Sequence, residues 1–230
     1  MKIEPKYSDL VKPENYDRVG IDNTWKIGFD EAARILNPYK GKKVLDYGSG
    51  TGRSSRFLKS LGLEVVGVDN DPKMVEFARE HNLDMDYYSL DSNTKIPFND
   101  ETFNACFASF VHVTISSRVE FYQIQEEVSR ILKPYGLFVI LTANPRMWGH
   151  EYHSFFNHMP DDFRGKSGDR IYVELKENPP ICGYDYFWEY EDYLSDLYDF
   201  NFHQCNDEYP LPVNDLTTIP PFMLITAHKS

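Results

Sequence analysis

The stretch that decides the fold reads Val44-Leu45-Asp46-Tyr47-Gly48-Ser49-Gly50-Thr51-Gly52. A short β-rich run at 43–46 passes into a loop that has glycine at every second position. Glycine takes positive φ angles without penalty and lets the backbone approach a ligand closely. The free amides at the start of a following helix can hold an anion. This segment therefore predicts a strand, a ligand-binding loop and a helix.

The glycine loop has two other interpretations. It could be a tight strand-to-helix turn that binds nothing, or a nicotinamide dinucleotide site. The dinucleotide fingerprint has the spacing G-x-G-x-x-G, and counting from Gly48 its last glycine would fall on Arg53. An acidic residue, Asp46, precedes the first glycine by two positions. This spacing favours S-adenosylmethionine (SAM) over NAD.

The rest of the chain alternates β-rich and amphipathic helical runs, which is typical of βαβ units around a mostly parallel sheet. The pattern predicts strands at 63–69, 103–110 and 136–142, another strand ending near Leu90, and a helix at 118–133. A helix beginning at Asp71-Pro72 has an N-cap residue followed by proline.

The pattern changes beyond Asn144, where aromatic residues become dense. Strands at 170–175 and 183–187 are predicted to form a hairpin-like insertion, because Asn178-Pro179-Pro180 breaks the chain between them. A helix at 190–198 and strands at 202–205 and 222–228 follow.

The glycine loop resembles motif I of the class I SAM-dependent methyltransferases, and the similarity extends from about residue 40 to about residue 145. The run Val65-Val66-Gly67-Val68-Asp69 is similar to the second motif of that family, a strand that ends in an acidic residue. The resemblance implies that Asp46 lies near the methionine amino group. It also implies that Asp69 accepts charge-assisted hydrogen bonds from the ribose hydroxyls.

Later segments extend the resemblance. Asp91-Ser92, followed by 96–98 and 101–104, is similar to the family's "D…lPf…sFD" stretch, with Asn104 where aspartate is usual. Leu132-Lys133-Pro134-Tyr135-Gly136 resembles the "LKPGG" turn, with Tyr135 in place of a glycine. The cofactor-binding residues that the resemblance implies are Asp46, Gly48, Ser49, Gly50, Gly52, Asp69, Asn70, Met74, Asp91, Ser92 and Ser109.

The resemblance also implies the architecture: a doubly wound α/β fold with a mostly parallel seven-stranded Rossmann-like sheet, the last strand antiparallel, and helices on both faces. We expect one domain. Residues 1–40 would form a helical roof that includes Trp25, 41–145 the cofactor-binding core, 146–190 a substrate lid after the fifth strand, and 191–230 a helix and strands that complete the sheet.

The expected activity is transfer of a methyl group from SAM to an oxygen or nitrogen of a small-molecule acceptor, with S-adenosylhomocysteine (SAH) as product. His112, at the end of the fourth strand, is a candidate general base because imidazole titrates near neutral pH. The alternative is that it packs under the substrate loop. Trp148, Tyr186 and Trp188 are candidate acceptor-binding residues, or else part of the core of the insertion.

A cluster of histidines raises the question of a metal. His150, Glu151, His153 and His158 lie close in sequence, and the first two histidines are three residues apart. That spacing suits one helix face, but it is one residue short of the H-E-x-x-H zinc motif. We therefore expect a polar rim on the lid and no metal.

The amino-acid composition disfavours some classes of partner and function. The 24 basic and 36 acidic residues give a net charge of −12, which repels phosphate backbones and makes nucleic acid an unfavourable partner. A methyltransferase acting on protein or RNA, and a SAM-binding protein without transferase activity, remain alternatives.

No apolar run approaches the ~20 residues of a membrane-spanning helix, and residues 1–9 lack the features of a signal peptide. We expect a cytoplasmic protein that does not bind membranes.

Overall fold

The computed structural model of the protein describes residues 11–91, 95–211 and 215–230. Six α-helices occur in these residues: α1 (Pro13–Tyr16), α2 (Asn23–Leu36), α3 (Arg53–Ser60), α4 (Pro72–His81), α5 (Arg118–Ile131) and α6 (Tyr190–Asp199). The strands are β1 (Lys43–Tyr47), β2 (Glu64–Asp69), β3 (Asp86–Ser89), β4 (Phe103–Ser109), β5 (Leu132–Ala143), β6 (Phe155–His158), β7 (Arg170–Leu175), β8 (Ile181–Tyr186), β9 (Phe202–Glu208) and β10 (Phe222–Lys229).

Seven strands form the central sheet, in the order β3-β2-β1-β4-β5-β10-β9. The pairs among β1 to β5 are all parallel, whereas β10 runs antiparallel to both β5 and β9. The predicted fold class is therefore confirmed, including the antiparallel last strand. The carboxyl ends of β1, β2 and β4 lie at one edge of this sheet, because parallel strands place like ends together.

The core forms two layers, one on each face of the sheet. Successive side chains of a strand point to opposite faces, and Val44, Phe107 and Val139 pack on one face with α2, α3 and the lid. Their neighbours Leu45, Cys106 and Phe138 pack on the other face with α5 and α6. Burial on both faces explains why these strands are nearly continuous apolar runs rather than alternating ones.

The helix α4 begins as the sequence predicts. Asp71 is its N-cap, and the carboxylate accepts hydrogen bonds from the amides of Lys73 and Met74 at 3.1 and 3.5 Å. Pro72 occupies the first helical position, where no donor is lost. The cap fixes where the helix starts and so where Met74 points.

The lid after β5 is larger than the predicted hairpin. It is a three-stranded antiparallel sheet in the order β6-β7-β8, and β6 (Phe155–His158) was not predicted. This strand has four residues and lies at the edge of the lid sheet, so its sequence carries no alternating pattern long enough to detect. Its first residue, Phe155, pairs with Leu175 of β7.

Near its start, β5 has a bulge in which a tyrosine takes the left-handed backbone conformation that glycine prefers. Tyr135 has a φ of 61°, in the left-handed region, and its side chain is 75% exposed. The bulge shifts the register between β4 and β5. The departure from the family pattern at this position therefore leaves a strained tyrosine in the bulge of β5.

Among the helices in residues 11–91, 95–211 and 215–230, none is both long and apolar enough to cross a membrane.

Candidate active site

The glycine loop follows β1 and leads into α3. Gly48, Gly50 and Gly52 all have positive φ, at 74°, 53° and 92°, which explains the alternate glycines of the sequence. A Cβ on Gly52 would come within 2.6 Å of the Asn82 amide nitrogen, whereas one on Gly50 would meet only a Tyr16 ring atom, at 3.6 Å. The space in front of Gly50 is therefore open for a ligand.

Asp69 ties the end of β2 to this loop. Its carboxylate accepts hydrogen bonds from the amides of Gly50 and Asp71, both at 2.8 Å. Two amide contacts hold the carboxylate in one orientation at the carboxyl edge of the sheet. A carboxylate has about four acceptor positions, so further donors can still bind it.

A cavity of about 330 Å³ opens between the glycine loop and the lid. Six of the predicted cofactor-binding residues contribute to the wall on the loop side: Gly48, Gly50, Asp69, Asn70, Met74 and Ser109. Trp25, predicted as a roof residue, also lines the cavity. The structure thus brings together residues from β1, β2, α4 and β4 that lie up to 61 positions apart in sequence.

Four predicted cofactor residues lie elsewhere, and a fifth, Ser92, falls outside the described residues. Ser49 and Gly52 belong to the loop but are turned away from the cavity, and Asp91 is exposed on the surface. Asp46 is fully buried behind the loop. Its Oδ2 accepts hydrogen bonds from the hydroxyls of Ser54 and Ser55, at 2.7 and 2.5 Å.

The buried environment of Asp46 shifts the pKa of its carboxyl group. Burial raises the pKa of this carboxyl to about 6, although the two serine hydroxyls act in the opposite direction. Its other oxygen, Oδ1, has no hydrogen-bond partner among the described residues. Contact with a methionine amino group would require the carboxylate to reach the cavity, where the structure does not place it.

The structure does not support His112 as a general base. The ring is completely buried, 4.8 Å from Phe121 and 5.5 Å from Tyr193 between ring centroids. Burial lowers its pKa to about 3, so it is uncharged at neutral pH, and neither ring nitrogen has a partner in the described chain. His112 is not part of the cavity wall. The alternative interpretation, a histidine packed under the substrate loop, fits this placement.

The predicted acceptor-binding aromatics also lie outside the cavity wall. Trp148, Tyr186 and Trp188 are all buried, and none of them lines the cavity. Trp188 donates its indole N–H to the carbonyl of Ile115 at 3.1 Å. Trp148 packs in the core with the lid strands, whereas Tyr186 and Trp188 pack in the core with α5 and α6.

Other apolar side chains form the lid side of the cavity. They come from α2, the segment after β4, the lid and the start of β10: Trp25, Phe110, Val113, Ile115, Met147, Phe155, Val173, Leu175 and Phe222. Phe110 has a φ of 56°, a strained conformation for a non-glycine residue. Its ring packs edge-to-face against Trp25 and Phe222, at 5.1 and 4.9 Å.

Sequence reasoning did not place four charged residues of the wall in the site: Arg53, Asp71, Glu120 and Asp185. The Arg53 guanidinium lies over the rings of Tyr16 and Trp25, 5.8 and 5.6 Å from their centroids. It occupies the position where a dinucleotide fingerprint has glycine, which was the signal that could have drawn attention to it. For Asp185 the signal was a charged residue within an otherwise apolar and aromatic strand.

The histidine cluster is dispersed along the lid. His153 and His158 are exposed, and the His158 ring packs against Phe156 and Tyr172. Glu151 pairs with Lys176 at 2.6 Å. In the part of the chain that is described, no three His, Cys, Asp or Glu side chains form a group that could hold a metal ion.

Comparison with known proteins supports the class that the fold and the loop define. Residues 44–136 match the family described as a methyltransferase domain. A demethylmenaquinone methyltransferase of Thermotoga maritima is 34% identical over 146 residues, which cover 63% of this chain and 59% of that protein. A protein of the same name from Clavibacter sepedonicus is 34% identical over 134 residues, 54% of this chain and 52% of the relative.

The chain spans little more than half the length of the curated relatives it matches. Its fold is similar to that of the CcbJ methyltransferase from Streptomyces caelestis, with a TM-score of 0.69, 16% identity and full coverage of both chains. Residues 44–136 are therefore similar in sequence to a methyltransferase domain, and the chain as a whole shares its fold with a methyltransferase.

Proposed function

We propose that the protein transfers a methyl group from SAM to an oxygen or nitrogen atom of a small-molecule acceptor that has an apolar portion. The observation that carries this proposal is the cavity, whose two sides differ in polarity. Its loop side presents Gly50 and Asp69, and its lid side presents apolar side chains such as Phe155 and Val173. A pocket with a few polar groups and apolar walls is the form that small-molecule sites take.

The residues on the loop side fit SAM. The open space in front of Gly50 would admit its methionine portion against the main chain, and a side chain there would occupy that space. Asp69, already held by two amides, would accept hydrogen bonds from the ribose hydroxyls. Asn70 and Met74 would flank the adenine. The role expected for Asp46 stays a prediction.

SAM, when bound, supplies a methyl group on a positively charged sulfur and leaves as SAH. The protein's contribution to such a transfer is alignment of the acceptor and exclusion of water. Phe110 and Phe155 lie on the cavity wall and carry no polar group, and Trp25 beside them has only its indole N–H, which donates but cannot accept a proton. These rings would hold the acceptor in place and keep the site dry.

The apolar lid side of the cavity favours a small molecule over a polymer. A nucleic-acid groove would carry basic residues along its length, and the described wall has one, Arg53. The curated relatives from Thermotoga maritima and Clavibacter sepedonicus are named for a small molecule, demethylmenaquinone. The cytoplasmic location expected from the sequence stays a prediction.

Calorimetric titration with SAH tests the cofactor side. We expect Asp69→Ala to weaken SAH binding at least tenfold, because it removes a charge-assisted contact. Asp86→Ala is the matched control, since Asp86 is an exposed residue on the neighbouring strand. Equal affinity for SAH in the Asp69→Ala variant and the parent would show that the site is assigned wrongly.

A second experiment separates a transferase from a binding protein. Cell extract incubated with SAM labelled in its methyl group, with and without the enzyme, should yield labelled small molecules only when the enzyme is present. Label in RNA or intact protein would indicate the polymer alternative. SAM binding without any transfer of label would indicate a protein that binds the cofactor without using it.

A further inference from the structure

Asp185 lies in the lid strand β8, on the strand face that points into the protein. It pairs with Ile171 of β7. Side chains alternate along a strand, so Asp185 shares its face with Ile181 and lies beside Ile171 and Val173 of β7. The titratable residues Arg170, Tyr172 and Glu174 occupy the alternate positions of β7 and point the other way. Asp185 is therefore a carboxylate in an apolar layer.

This carboxylate belongs to the cavity wall. No hydrogen bond or ion pair engages it in the part of the chain that is described, whereas Asp69 on the opposite side is held by two amides. A buried or half-buried carboxylate without donors is costly to the folded state. A group kept in such a position is a candidate for contact with a ligand.

The charged and titratable groups around Asp185 do not neutralise it. His112 lies in the turn His112–Thr114, which contacts β8, and is uncharged at neutral pH. Tyr193 of α6 interacts electrostatically with Asp185, and Glu120 of α5 is another carboxylate in the cavity wall. Across the cavity are Asp69, Asp71 and Arg53. Burial is the cause that raises the pKa of Asp185, to about 7. The group can therefore take up and release a proton near neutral pH.

We propose that Asp185 is the proton acceptor for a hydroxyl group of the methyl acceptor, an inference that rests on the proposed function. The acceptor's O–H bond breaks, the proton forms a bond to a carboxylate oxygen of Asp185, and the electron pair stays on the acceptor oxygen. That oxygen is then the nucleophile. The Asp185 proton then passes to solvent water. A general base is most effective when its pKa lies close to the working pH.

The test uses binding, so it does not depend on knowing the natural acceptor. The probes are 2-naphthol, which keeps its hydroxyl proton near neutral pH, and its methyl ether 2-methoxynaphthalene, which has no proton to donate. Both are titrated by calorimetry into SAH-saturated protein between pH 5.5 and 8.5. The proteins are the parent, Asp185→Asn, and the control Glu174→Gln, which removes a carboxylate from the outer face of the same lid.

We expect the parent and Glu174→Gln to bind 2-naphthol about tenfold more tightly than the ether at pH 8.5, because a hydrogen bond to a charged group is stronger than one to a neutral group. This preference should decline as the pH falls through about 7. Asp185→Asn should show little preference at any pH, with SAH affinity unchanged. The variant keeps the size of the side chain, so a loss of fold is not expected.

The outcomes separate the two proposals. If SAH binds and the parent shows no preference for the hydroxyl probe, or binds neither probe, the assignment of Asp185 is overturned while the cofactor site stands. A preference that persists in Asp185→Asn overturns it as well. If SAH fails to bind the parent protein, the proposed function is wrong and the inference falls with it.

Discussion

The indole nitrogen of Trp188 donates a hydrogen bond to the carbonyl oxygen of Ile115, 3.1 Å away and fully buried. This contact joins the end of the lid to the segment that follows β4, and Ile115 is itself part of the cavity wall. The Trp188 ring also packs on Phe121 of α5, at 4.9 Å. Trp188 therefore fixes the shape of the acceptor side without touching the cavity.

Trp188→Phe should lower the free energy of unfolding by about 1–3 kcal/mol, because the Ile115 carbonyl loses its donor in a buried position. SAH affinity should not change, since the cofactor side is held by other loops. Urea unfolding and calorimetry measure the two quantities. Tyr184→Phe, on the exposed face of β8, serves as control. Weaker SAH binding in Trp188→Phe would contradict this role.

Two glycines of the same loop should respond differently to alanine. Gly50→Ala should reduce SAH affinity at least tenfold and cost about 1–2 kcal/mol of stability, because alanine disfavours the left-handed backbone but meets open space. Gly52→Ala should cost more stability, about 3 kcal/mol, since its Cβ would collide with the amide of Asn82 and the Tyr87 hydroxyl. Thermal unfolding and SAH titration of both variants check this order.

The test is whether Gly52→Ala loses more stability than Gly50→Ala, rather than the size of either loss. If Gly52→Ala proved more stable than Gly50→Ala, the collision with Asn82 and Tyr87 would not exist in solution.

The pattern of the sequence predicted the cofactor half of the molecule better than the acceptor half. Asp69 ends the buried strand β2, Gly50 lies in the loop after β1, and parallel strands must bring their ends to one edge. No comparable rule predicts from the sequence which side chains of the lid face the cavity. Whether Trp188 or its neighbours face the cavity depends on how the lid sheet packs on β5, and aromatic residues suit a core as well as a pocket.

His112 should make the protein sensitive to acid. Its pKa is about 3 when folded, well below the usual 6.5, so below pH 6.5 the unfolded chain binds a proton that the folded protein does not. Stability attributable to this group is therefore lost as the pH falls, by roughly 1.4 kcal/mol per unit at most. His112→Leu should remove that loss.

The measurement is urea unfolding of the parent and His112→Leu between pH 7 and 4.5. Asp46 has a raised pKa and acts in the opposite direction over this range, so the difference between the two proteins, rather than either curve, reports on His112. His81→Gln, at an exposed histidine, should show no such difference. A constant difference between parent and His112→Leu across the range would mean that the ring is accessible to protons.

Tyr135→Gly should stabilise the protein by about 1 kcal/mol. The tyrosine has a φ of 61° and an exposed side chain, so glycine removes the cost of the left-handed backbone and loses little packing. Tyr135→Ala is the matched control, because it keeps the Cβ that causes the strain. Thermal unfolding should rank the glycine variant above both the parent and the alanine variant. An alanine variant as stable as the glycine one would assign the gain to the lost ring instead.

The pairing of β5 with β10 brings together the two ends of the chain segment that contains the lid. Ala143 pairs with Phe222, and just beyond them the Asn144 amide donates to the Pro221 carbonyl at 3.1 Å while its side chain donates to Pro220 at 2.8 Å. The chain between these points forms the lid, then α6 and the edge strand β9, and it returns to the sheet beside the point where it left. Because closing a longer loop costs only slightly more entropy, evolution could lengthen, shorten or replace the lid part of this segment, which precedes α6, without disturbing the sheet. Acceptor preference could then diverge among descendants of one gene while cofactor use stays the same.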